Sequence, residues 1–151
     1  MDNVGRILMV EDDPKDVELT ITALQEYNLA NEVVVTKDGE EALDYLYCRG
    51  KYASRPSDLP AVLLLDLKLP KVDGLQVLRE IKAKAETRAI PVIALTSSKE
   101  ESDLLECYHL GVNSYIQKPV DFEKFRETIR AVRVYWATIN QSPPQRAFAP
   151  R

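Results

Sequence analysis

Five short apolar runs, set between segments of helical period, restrict this chain more than any other feature of its sequence. Arg6–Val10, Glu32–Thr36, Ala61–Leu65, Pro91–Leu95 and Ser114–Gln117 read as strands, and three of them are continuously apolar. A strand without polar alternation is buried on both faces, as in a parallel sheet covered by helices. The intervening segments supply those helices. The first carries Val17, Ile21 and Leu24, with Pro14 near its first turn, where a missing N–H is tolerated. The second carries Ala42, Leu43 and Leu46 after Gly39; the third, Leu75, Leu78 and Ile81 after Gly74; the fourth, Leu104, Leu105 and Tyr108. Strands alternating with helices imply an α/β, doubly wound, five-stranded parallel sheet flanked by five helices.

The fifth helix differs from the others. Phe122, Phe125, Ile129, Val132, Trp136 and Ile139 recur at 3-4-3-4-3 spacing, a narrow seam rather than a wide core face. From Phe122 to Ile139 such a helix is about 27 Å long, more than a small sheet needs. Its first turns pack on the sheet. The overhanging Val132, Tyr135, Trp136 and Ile139 are expected to form a homodimer interface. Residues 1–139 then make one domain, and 140–151 (NQSPPQRAFAPR) a Pro-rich, polar, disordered tail.

Composition removes several classes. The net charge of −4 lacks the basic footprint that nucleic acid requires. No apolar stretch approaches the ~20 residues of a membrane span, and the N-terminus is not patterned as a signal peptide. Cys48 and Cys107 sit in helix patterns, lack metal-ligand spacing and read as reduced packing thiols of a cytoplasmic protein, while Asp73-Gly74 reads as a turn leading into the third helix. The single histidine, His109, lies in the fourth helix pattern and reads as a surface or partly packed residue.

The unusual polar residues fall at the carboxyl ends of the strands, where open α/β sheets bind their ligands. Glu11, Asp12 and Asp13 follow strand one, Asp66 strand three, Thr96 strand four and Lys118 strand five. Each alone suits a solvated strand end; together they suit a site. Carboxylates so placed repel one another unless a cation lies between them. A small set of hard oxygen ligands suits Mg²⁺, with Mn²⁺ or Ca²⁺ as substitutes. A carboxylate beside such an ion and an ammonium is fitted to accept a phosphoryl group, with a threonine hydroxyl as a further donor. No Gly-rich phosphate cradle is present to hold a nucleotide.

VEDDP at 10–14, LLLDLKLPKVDG at 63–74, ALTSS at 94–98 and SYIQKP at 114–119 resemble, in order and spacing, the receiver domains of two-component response regulators. The likeness runs from about Gly5 to Ile139. It implies a flavodoxin-like topology with strand order 2-1-3-4-5. It implies a single-domain response regulator rather than an enzyme, taking a phosphoryl group on Asp66 from a sensor histidine kinase and signalling by protein contact. Asp12 then ligates Mg²⁺ directly and Glu11 through water, with Asp66 and the backbone carbonyl of Lys68 completing the protein's share. Lys118 pairs with Asp66 or its phosphate, Thr96 follows the phosphate, Tyr115 is the aromatic switch, and the Lys118–Pro119 peptide is cis. Lys68 and Ser98 stand at tuning positions and are expected to alter autodephosphorylation, with no sign fixed. The stretch YLYCRGKYASRPSDLP (45–60) and RVYWATI (133–139) resemble the small cyanobacterial regulators paired with phytochrome kinases.

Two rivals fare worse. A haloacid-dehalogenase-type phosphatase needs a second Asp two residues after its nucleophile, where this chain has Lys68. A flavodoxin-like cofactor binder needs a phosphate loop that is missing.

Overall fold

The computed structural model describes residues 6–26, 33–118 and 122–134. Strands β1 (Ile7–Val10), β2 (Val33–Thr36), β3 (Val62–Leu65), β4 (Val92–Thr96) and β5 (Ser114–Gln117) alternate with helices α1 (Pro14–Glu26), α2 (Gly39–Leu46), α3 (Gly74–Ala83), α4 (Glu101–His109) and α5 (Phe122–Val134). All neighbouring strands are parallel, in the order β2-β1-β3-β4-β5. The doubly wound sheet expected from the apolar runs is therefore present, in the expected order.

Alternation along each strand builds two cores. Leu8, Val10, Leu63, Leu65 and Ala94 point toward α2 and α3, where they meet Leu43, Leu46, Val77 and Ile81. Ile7, Met9, Val62, Leu64, Ile93 and Leu95 point to the other face, against Ala23 and Leu24 of α1. The central strands are buried along their whole length, whereas β2 and β5 are only partly covered. That difference explains why the central runs are uninterrupted by polar residues.

Three local readings need correction. Leu105 and Tyr108 of α4 are 63% and 55% exposed, while Asp103 and Cys107 are buried. The helix is turned so that a carboxylate and a thiol, one turn apart, face inward in place of the apolar pair. Cys48 is not inside a helix: it follows the C-cap Tyr47 of α2 with φ 54°, the left-handed conformation that ends many helices. Gly74 is not a turn glycine. It is the first residue of α3, capped by Asp73, whose side chain accepts from the Gln76 N–H at 2.9 Å. A Cβ at Gly74 would lie 2.2 Å from the carbonyl oxygen of Asp66, so close approach, not positive φ, demands glycine there.

The 45–60 stretch folds around Arg55. Its guanidinium donates to the Tyr45 carbonyl from Nε at 3.0 Å and Nη2 at 2.7 Å, and lies 4.0 Å over the Tyr45 ring. Tyr52 packs edge-on to Tyr45 and donates to Glu41 at 2.9 Å.

Candidate functional site

The direction of winding reverses between β1 and β3, and ligands of such sheets bind beyond the strand ends at that point. Register brings the polar residues together there. Val10 pairs with Leu65, so Glu11 and Asp66 leave the sheet side by side, and the Asp66 N–H donates to the Val10 carbonyl at 3.1 Å. Thr96 is the last residue of β4 and pairs with Gln117; the Lys118 N–H then donates to the Thr96 carbonyl at 2.7 Å. Four strands thus deliver Glu11, Asp66, Thr96 and Lys118 to one end of the sheet.

Lys118 joins them. Its Nζ lies 3.2 Å from Asp66 Oδ2 and 2.9 Å from Asp16 Oδ2, and it also donates to Glu11 Oε1. Its side chain is 8% exposed, as is that of Asp66. Burial alone would lower the lysine pKa, but hydrogen bonds to Glu11 and Asp16 and the charge of Asp66 raise it, so it stays an ammonium. Glu11 is moved the other way from an ordinary carboxylate. Burial pushes its pKa up to about 7, with repulsion from Asp66 added and the Lys118 hydrogen bond opposing both.

Each of Glu11, Asp12 and Asp66 offers an oxygen within 4.8 Å of the others'. Glu11 and Asp66 are buried and Asp12 is exposed, so the group opens to solvent on one side. A carboxylate whose charge is disfavoured first by burial and then by a like charge favours a further cation, and an all-oxygen donor set suits a hard divalent one. The residues fit such an ion. The Lys68 N–H donates to Asp66 Oδ1 at 3.2 Å, fixing the turn that carries the Lys68 backbone past Asp66.

Thr96 is fully buried, and its Oγ1 accepts the Ser98 N–H at 3.2 Å. Tyr115 packs against the α2/α3 core and donates its hydroxyl to the Ser98 carbonyl at 3.2 Å. Asp13 serves locally, accepting the Lys15 N–H on Oδ1 at 2.9 Å as α1 begins. His109 is exposed at the end of α4. The side chains of Phe122, Phe125, Ile129 and Val132, together with Tyr135, Trp136, Ile139, the Lys118–Pro119 peptide and the 140–151 tail, lie outside the described residues.

Two residues were missed in the sequence. Asp16, in the first turn of α1, reaches Lys118, a partner far away in the sequence that no local pattern indicates. Asp103, beside the site, holds Ser98 and Lys68 and is likewise unmarked, because its burial depends on how α4 is turned.

A parallel sheet of this order, with carboxylates and a lysine converging at its switch point, is the architecture of a response regulator receiver domain, and the chain belongs to that family: the family model for the response regulator receiver domain matches residues 7–130. Among curated relatives, the "Probable methanogenesis regulatory protein FilR2" of Methanothrix harundinacea is 40% identical over 91% of this chain and 86% of its own. "Response regulator Rcp1" of Synechocystis is 35% identical over 86% of this chain and 87% of its own. The crystal structure of the phosphorylated cyanobacterial phytochrome response regulator RcpA superposes with TM-score 0.87 at 36% identity, covering 93% of this chain and 99% of that one. The bacteriophytochrome response regulator AtBRR is 56% identical with TM-score 0.72, covering 91% and 98%. The chain is thus a receiver domain related to phytochrome response regulators. Among the described residues no helix is long and apolar enough to cross a membrane.

Proposed function

We propose that this receiver takes a phosphoryl group on Asp66 from the phosphohistidine of a sensor histidine kinase, of phytochrome type, and signals in the cytoplasm through protein contact. The contact of the Lys118 ammonium with Asp66 and Glu11 at the switch point carries the proposal. In the transfer, a carboxylate oxygen of Asp66 attacks phosphorus, the O–P bond forms, and the N–P bond to the donor histidine breaks with its electron pair returning to the imidazole. Lys118 supplies positive charge beside the incoming equatorial oxygens. Mg²⁺ held by Glu11, Asp12, Asp66 and the Lys68 carbonyl would neutralise further charge on the phosphoryl group. Thr96 offers its hydroxyl proton to a phosphoryl oxygen while its oxygen can still accept from the Ser98 N–H, and Tyr115 is positioned to follow because its hydroxyl is tied to Ser98. A second copy docks through the last helix, a reading supported by the seam of Val132, Tyr135, Trp136 and Ile139.

The relatives named for phytochrome support the choice of kinase. Labelled phosphohistidine kinases of phytochrome and non-phytochrome type, offered in parallel, test it. Transfer to the wild type fastest from the phytochrome kinase is expected; equal or faster transfer from the others would reject that part of the proposal. Sedimentation at micromolar concentration should show a dimer, and a monomer in both phosphorylation states would reject the second copy.

A further inference from the structure

Among the described residues the buried carboxylates are Glu11, Asp66 and Asp103. The first two belong to the site above. Asp103, in the first turn of α4, lies outside it and is held by two side chains. Its Oδ2 accepts from Ser98 Oγ at 2.5 Å and lies 3.6 Å from Lys68 Nζ. Those partners are the residues two after Asp66 and two after Thr96, so a single carboxylate ties both loops of the site to α4. The tie extends to Tyr115, whose hydroxyl bonds the Ser98 carbonyl.

The two holds differ in strength. Ser98 and Asp103 are both buried, whereas the Lys68 side chain is 60% exposed and lines an open cleft of about 300 Å³ with Leu69, Asp73 and Asp103. Lys68 can therefore move without unpacking anything. Its backbone is already bonded to Asp66, so its ammonium has two anionic choices once Asp66 is modified: one carboxylate, or a phosphoryl group of about twice the charge.

We propose that Asp103 is a positioning residue that keeps the Lys68 ammonium and the Ser98 hydroxyl on α4, and that a phosphoryl group on Asp66 competes with it for them. The proposal rests on Asp66 being the phosphoacceptor. Lys68 released from Asp103 pairs with the phosphoryl oxygens and lies across the open side of the site, where water must approach phosphorus. So placed, the side chain bars the in-line approach of water without supplying a base to activate it. Releasing Lys68 therefore lengthens the life of the phosphoryl group. Because coupling is reciprocal, the phosphoryl group loosens the start of α4 to the same degree.

The test follows loss of the phosphoryl group by intact mass after acetyl phosphate is removed, in wild type, Asp103→Asn, Lys68→Met and the double variant. Asparagine keeps an acceptor for Ser98 and removes the charge. The half-life should lengthen about threefold in Asp103→Asn, the range of a partly exposed ion pair. In the Lys68→Met background the same change should have no effect. An unchanged half-life in Asp103→Asn, or an equal lengthening without Lys68, overturns the proposal, since a merely structural Asp103 would act regardless of Lys68. On the wild type alone, hydrogen exchange of the α4 first turn should quicken on phosphorylation; unchanged exchange also overturns it. A wild type that takes up no phosphoryl group rejects the phosphoacceptor reading itself.

Discussion

Replacing Lys118 by methionine tests the electrostatics of the site through stability. The substitution keeps the length of the side chain and removes the ammonium that neutralises Glu11, Asp16 and Asp66. Breaking a buried pair by removing one partner typically destabilises by about 3–5 kcal/mol. Asp16 is partly exposed and water can solvate it, so the lower end, about 3 kcal/mol, is expected here at pH 8. For a domain of this size that is roughly a 10 °C fall in Tm. The pH dependence has a definite sign. The folded-state pKa of Glu11 lies near 7, above the ordinary value of 4.5. Its contribution to stability is therefore fully present below 4.5 and lost as pH rises through 7. At pH 5 Glu11 carries its proton, less negative charge is left unpaired, and the penalty of Lys118→Met should shrink by about 1 kcal/mol, the rest persisting because Asp66 still lacks its cation. Thermal melts of both proteins at pH 5 and pH 8, without divalent cation, measure this. Adding Mg²⁺ at pH 8 should restore about 2–3 kcal/mol to the variant at a hundredfold excess over its Kd. A penalty equal at both pH values, or a variant indifferent to Mg²⁺, would show that Lys118 is held by packing rather than by the carboxylates.

Other consequences can be checked more simply. Gly74→Ala should destabilise by about 2–3 kcal/mol, or displace the Asp66 turn, because its Cβ meets backbone that has little room to shift; chemical denaturation measures it. Leu105→Ser on the exposed face of α4 should change stability by less than about 0.5 kcal/mol, whereas a core position in that pattern would lose several times more. Burial, with Asp103 and Glu106 adding negative charge, pushes the Cys107 thiol up to about 11. In the native protein at pH 8 a thiol reagent should therefore modify half-exposed Cys48 first, with Cys107 reacting only on unfolding.

The sheet was legible because its central strands have no solvent face. A run such as Ala61–Leu65 has few alternatives once helical segments flank it, and its end marks where Asp66 must emerge. Glu11, Thr96 and Lys118 were legible for the same reason, as strand-end residues at one edge of a parallel sheet. What depended on side-chain geometry was not. The rotation of α4 brings Asp103 to Ser98, whereas a hydrophobic pattern favours the opposite orientation, with Leu105 and Tyr108 inward. Gly74 looked like turn chemistry because sequence does not reveal that the Asp66 carbonyl lies against it. The partnership of Asp16 with Lys118 joins residues 102 positions apart, and nothing local to either announces it.

The central claim is that Asp66 accepts the phosphoryl group, and intact mass spectrometry tests it most directly. Wild type and Asp66→Asn are incubated with acetyl phosphate and Mg²⁺, with chelator in a parallel arm. The wild type should gain the mass of one phosphoryl group, only where the metal is present, and Asp66→Asn should gain none. A mass gain on Asp66→Asn, or none on the wild type with Mg²⁺, would contradict the account.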